Sequence, residues 1–161
     1  MKEMAIKHGL DFEKQTDIKT KLFQQYTKEE LSHLHFVEKH KFNKFCIDKW
    51  GVSPKKIWSA NLLPDEAIYN ENTNHFIIIE KKYQACPGSV DEKLQTCGFK
   101  LSQYKKIAKL CNFTIEYIYF LNDWFLNKRY DDVKEYILSQ GCKYYIENLP
   151  LKLFFERGDE E

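Results

Sequence analysis

The segment His75-Phe-Ile-Ile-Ile-Glu-Lys-Lys-Tyr83 constrains this chain more than any other. Its β-branched residues suit a pleated strand, and the run is too short for a typical helix. Alternation puts Phe76, Ile78, Glu80 and Lys82 on one face and Ile77, Ile79 and Lys81 on the other. Both faces begin apolar, so the segment reads as a central strand. Just upstream, Asn70-Glu71-Asn72-Thr73-Asn74 has the composition of a hairpin turn, which folds Glu66 to Tyr69 back alongside it.

The rest of the chain is read around that hairpin. Ile18, Leu22, Phe23 and Tyr26 recur at helical spacing, and Thr27-Lys28-Glu29-Glu30 has the capping-box form that predicts a new helix through Leu31, Leu34 and Val37. Gly51 closes a segment from Phe42 to Trp50. The partly apolar Ile57 to Leu63 is taken as the first strand of the sheet, interrupted by Pro64. After Pro87-Gly88-Ser89, a long helix is expected from about Val90 to Cys111, with Ser89 as its cap and Asn112 as its stop. Thr114 to Leu121 is a second strong strand, Asp131 to Ser139 a helix ending before Gly141, and Lys143 to Ile146 a short last strand. This order predicts an α/β fold, a central mixed sheet flanked by helices, with a helical N-terminal segment. No repeat or linker marks a second domain. The expected division is a helical part over 1–55, an αβ core over 56–151 and a charged tail over 152–161.

Hydrophobic residues make up 43% and aromatics 16%, ample for one closed core, so the aromatic rings are expected to fill it rather than to stack on bases. Lys plus Arg is 25 against 24 for Asp plus Glu, so no overall positive field announces a nucleic-acid partner. The cations are nearly all lysine, with arginine at 129 and 157 only. Cys46, Cys86, Cys97, Cys111 and Cys142 are odd in number and form no CxxC pair, which points to reduced, mostly buried thiols in a cytoplasmic protein. Met1 to Leu10 lacks the apolar core of a signal peptide, and no stretch is long and apolar enough for a membrane span.

The chemistry gathers on the hairpin. Asp65 lies before the turn and Glu80 after it at similar distances, so the two carboxylates meet at one end of neighbouring strands, with Lys82 on the Glu80 face. Adjacent carboxylates repel unless a cation lies between them, and a divalent metal with oxygen ligands, Mg²⁺ foremost, is the usual solution. Such a metal can bind a phosphate oxygen and activate water, while Lys82 can orient that water or offset charge building on phosphorus. The plain alternative is a solvated strand end at Glu80-Lys81-Lys82 and a turn initiator at Pro64-Asp65.

Pro64-Asp65, fourteen intervening residues and Glu80-Lys81-Lys82 resemble the PD-(D/E)xK signature of the restriction-endonuclease-like nuclease superfamily. Gly88-Ser-Val-Asp-Glu-Lys-Leu-Gln-Thr96 is similar to a stretch of small type II restriction endonucleases, and Glu116-Tyr-Ile-Tyr-Phe-Leu-Asn-Asp-Trp-Phe125 to the strand and turn that close the same module. The resemblance covers about Leu62 to Leu151. It implies a Mg²⁺-dependent DNA endonuclease, with Mn²⁺ as a possible substitute, acting on double-stranded DNA as a homodimer. Asp65 and Glu80 would hold the metal and Lys82 would assist catalysis. It also suggests a further acidic residue, for which Glu38 is the candidate, although a solvated face beside Lys39 and Lys41 explains Glu38 as well. Lys93 and Gln95, and Lys105 with Lys109 on one helix face, are candidate DNA contacts whose plain reading is solvation. The alternatives are a recombination or repair nuclease of the same fold and a non-catalytic DNA-binding module. Ile47, Gly51, Ser53, Pro54 and Ile57 also resemble the turn of a helix-turn-helix, against which stands the bulky Ile47. His33, His35 and His40 cluster without zinc spacing and read as surface or packing residues.

Overall fold

A computed structural model describes residues 10–11, 23 and 26–155. Its strands are β1 (Leu10–Asp11), β2 (Leu34–Val37), β3 (Glu66–Asn70), β4 (His75–Lys82), β5 (Thr114–Leu121), β6 (Lys143–Ile146) and β7 (Asn148–Leu149). The helices are α1 (Lys41–Trp50), the single turn α2 (Pro54–Ile57), α3 (Val90–Lys93), α4 (Cys97–Cys111) and α5 (Asp131–Ser139). Five strands form one mixed sheet in the order β2-β3-β4-β5-β6, and β1 and β7 make a separate antiparallel pair. β2 pairs antiparallel with β3 and β3 antiparallel with β4, whereas β4, β5 and β6 are mutually parallel.

The central strand is covered on both faces, as its pattern requires. Phe76 and Ile78 join the core under the helices, with Phe42, Trp58, Tyr104, Ile107 and Tyr117. Ile77 and Ile79 join a second cluster on the opposite face, with Phe23, Ile68, Ile118, Leu149 and Phe154. Many of the aromatic residues fill the interior, where Phe42 stands edge-on to Tyr104 at 5.5 Å and Trp50 lies 4.9 Å from Phe113, while Phe99, Tyr83 and Tyr136 are exposed. Cys46, Cys97, Cys111 and Cys142 are buried free thiols, and Cys86 is exposed. Among the described residues no helix is long and apolar enough to cross a membrane.

Three local expectations are corrected. Leu34 and Val37 belong to a strand, not a helix, because they pair with Asn70 and Ala67 of β3 and send alternate side chains to the two cores. The capping contact itself is present, with the Glu30 amide donating to Thr27 Oγ1 at 3.2 Å, but it closes only a turn. Ile57 to Leu63 is not a strand: Pro54 opens α2, Trp58 ends it with its ring in the core, and β2 takes the edge of the sheet instead. The long helix after β4 is broken by a 3-10 turn at Leu94–Thr96 between α3 and α4, and Ser89 makes no side-chain cap. The helical spacing at Ile18 and Leu22 lies outside the described residues.

The helix-turn-helix reading lacks a second helix longer than one turn. Gly51 does end α1, at φ 69°, a left-handed conformation that glycine adopts without strain, but α2 is one turn long.

Candidate active site

β3 and β4 pair with Glu66 opposite Ile79. Extending that register by one position sets Asp65 opposite Glu80 on the face covered by α4. Asp65 stands one residue before β3, where Oδ2 accepts the Lys81 amide at 3.0 Å, so the backbone of β4 fixes this carboxylate beside Glu80. The carbonyl of Pro64, itself buried, accepts the Lys39 amide at 2.8 Å and ties the approach to β3 back to the end of β2.

Glu80 is 6% exposed. Burial, and next the charge of Asp65, push its carboxyl up to about 7 against the pull of Lys82 and Lys100. Lys82 Nζ lies 3.6 Å from Glu80 Oε2. Lys81 points to the other face, where it meets Glu66 Oε2 at 3.1 Å. The floor of the site is aromatic: Tyr104 on α4 and Tyr117 on β5 are buried, and burial followed by the charge of Glu80 holds both phenols well above their usual range. Their low-dielectric surroundings keep the Glu80 charge expensive.

The other sequence-derived candidates lie elsewhere. Glu38 sits between β2 and α1, exposed, 3.4 Å from Lys41. Lys93 and Gln95 are exposed on the segment that follows β4. Lys105 and Lys109 lie on the exposed side of α4, whose opposite side carries Leu101, Tyr104, Ile107 and Ala108 into the core. Of the histidines, His35 packs 5.4 Å from Phe45 and His33 6.0 Å from Phe155, and His40 is exposed.

Two contributors were not singled out from the sequence. Lys100 is one turn before Tyr104 on the sheet-facing side of α4, close enough to lower Glu80; the spacing of Lys100, Tyr104 and Ile107 was the available signal. Asn122 continues the sheet beyond its last backbone pair, Lys82 with Leu121. Its amide accepts from the Gln84 amide at 3.0 Å and donates to the Gln84 carbonyl at 2.7 Å, pinning the chain just after Lys82.

A strand hairpin that brings a Pro-Asp carboxylate against a buried Glu, with a Lys two residues on, on a mixed sheet, is the arrangement the sequence motif calls for. A family model for the PD-(D/E)XK nuclease superfamily domain matches residues 3–104. The chain belongs to the PD-(D/E)XK nuclease superfamily. The match to this superfamily begins well before the motif and takes in β2 and α1, which lie outside the stretch from Leu62 to Leu151 that carries the motif resemblance. No curated protein and no solved structure gives a match. Superfamily membership points to phosphodiester hydrolysis in nucleic acid, for which nucleases of this kind typically use a divalent metal.

The residues present fit such a metal. A buried carboxyl held well above its usual range by burial and by the charge of the neighbouring Asp65 is what a hard divalent cation with oxygen ligands relieves. Among the described residues no cluster of three His, Cys, Asp or Glu side chains could hold an ion alone. A pair of carboxylates suits Mg²⁺, which keeps several waters and takes further oxygens from a phosphate.

Proposed function

We propose that this chain is a Mg²⁺-dependent DNA endonuclease, with Mn²⁺ as a substitute metal and a type II restriction enzyme as the specific form. The observation that carries the reading is the meeting of Asp65 with buried Glu80 beside Lys82, on the superfamily's motif. Asp65 and Glu80 would hold the metal, which supplies charge to a phosphate oxygen and a more acidic bound water.

The protein's own residues account for the rest. Asp65 is oriented by the Lys81 amide, so its position does not depend on the ion. Glu80, on a strand buried on both sides, cannot turn to bulk water to relieve its charge, so it favours whichever partner brings positive charge to it. Lys82, on the same face, holds a proton at Nζ within reach of the site and can donate to, or take charge from, the oxygens of a phosphorus centre as negative charge builds there. Tyr104 and Tyr117 exclude water from beneath.

Restriction of both strands of a palindrome needs two such sites, and a homodimer supplies them. Digestion of plasmid and genomic DNA with Mg²⁺, and with a chelator, tests the reading. Discrete fragments support restriction; nicking, a smear or preference for branched DNA supports a recombination or repair nuclease; no metal-dependent cleavage overturns both.

A further inference from the structure

In a chain whose cations are nearly all lysine, Arg129 is held with unusual care. Its guanidinium donates to Asp91 Oδ2 at 3.0 Å. The other oxygen of Asp91 accepts the Tyr130 hydroxyl at 2.8 Å, and that hydroxyl accepts the Trp124 indole N–H at 2.6 Å. The guanidinium also lies 5.3 Å from the centre of the Tyr130 ring. Trp124, Tyr130 and Asp91 therefore fix the direction of Arg129 while its side chain stays 47% exposed. A surface cation needs no such support merely to be soluble; a preorganised fork is what bidentate recognition requires.

Arg129 borders a groove of about 440 Å³ lined also by Gln95, Asp132, Val133 and Tyr136. The groove belongs to the segments that leave the C-terminal ends of β4 and β5, which is the end of the sheet that carries Glu80 and Lys82. One hydrogen bond ties the two together: Tyr119, the register neighbour of Glu80 on β5, donates to the Lys93 carbonyl at 3.2 Å, two residues before Gln95.

Charge selects what the groove takes. Arg129 is paired with Asp91 behind it and accompanied by Asp132 in the lining, so its charge is offset by carboxylates and the groove is not built as a phosphate site. Arg, Gln and Asp together offer the mixed donors and acceptors that read base edges, Arg toward guanine and Gln toward adenine, with Tyr136 as an apolar wall. We propose that this groove reads base edges of the DNA substrate, with Arg129 and Gln95 as its specificity-determining residues. The proposal rests on the nuclease reading above.

The test cuts a library of duplexes randomised around a central site with the full chain and Mg²⁺, and sequences the cut ends, for wild type, Arg129→Ala, Arg129→Lys and Gln95→Ala. Arg129→Ala is expected to flatten the preference at one or two base positions by about tenfold to a hundredfold. Arg129→Lys should fail to restore it, and the salt dependence of DNA affinity should stay unchanged. Gln95→Ala, exposed and outside the Asp91 network, should flatten a different position, which keeps the proposal testable if the arginine variants do not fold. An unaltered preference, a wild type without base preference, or uniform weakening with a shallower salt dependence overturns it. If wild type cleaves and only the variants behave unexpectedly, this inference alone fails. If wild type does not cleave with Mg²⁺, the nuclease reading fails with it.

Discussion

Glu80 is the residue whose chemistry depends most on where the fold puts it. Because its folded value of about 7 lies above the ordinary carboxyl value of 4.5, the folded chain keeps a proton there that the unfolded chain has released. Below about pH 4.5 both states are protonated, and as pH rises from there through 7 this group makes folding progressively less favourable. The loss is roughly 3 kcal/mol without metal. Urea unfolding in chelator at pH 5 and pH 8 should reveal it, Glu80→Gln should remove it, and added Mg²⁺ should recover part of it for the wild type. A second residue-scale prediction separates two neighbours. Lys82→Ala should slow single-turnover cleavage about a hundredfold or more, whereas Lys81→Ala, on the opposite face with Glu66, should slow it little. Equal damage would mean that the face assignment does not govern catalysis.

At the scale of elements, the positions of Asp65, Glu80 and Lys82 follow from one hairpin and one parallel neighbour. β4, β5, α5 and β6 were legible in the sequence because each carries its own signal: a β-branched run, a turn residue or a left-handed stop such as Asn112 at φ 58° or Gly141 at φ 75°. β2 was not, since Leu34 and Val37 fit helical spacing equally well and only pairing with β3, some thirty residues away, settles the matter. The same non-local pairing left Ile57 to Leu63 looking like the missing edge strand. Of the candidate site, the meeting of the two carboxylates and the lysine was legible from motif and alternation. Lys100 and Asn122 were not, because their roles depend on how α4 lies on the sheet and how β5 ends. Asn122 carries a prediction: Asn122→Ala leaves a buried N–H and a buried carbonyl of Gln84 without their partner, costing about 2–4 kcal/mol. The melting temperature should fall, and cleavage should slow as the Lys82 end of β4 loosens. An unchanged melting temperature would show that other contacts hold this end.

Over the whole molecule, charge is nearly balanced, 25 basic against 24 acidic side chains, so on the proposed function long-range attraction would give DNA little help. Affinity would then come from local contacts and from neutralising the Asp65–Glu80 pair. Ca²⁺ should therefore support DNA binding without efficient cleavage, since it fills the carboxylate pair but activates water less well than Mg²⁺. Binding indifferent to divalent ions at low salt would place the phosphate away from Asp65 and Glu80. The most direct test of the central claim is single-turnover cleavage of plasmid DNA with Mg²⁺ by wild type, Asp65→Asn and Glu80→Gln, with unfolding curves recorded on the same preparations. Both variants should remain folded and lose cleavage by at least a thousandfold, because each removes a charge from the pair rather than a core contact. Near wild-type turnover in either folded variant would contradict the assignment of Asp65 and Glu80 as the centre of the active site.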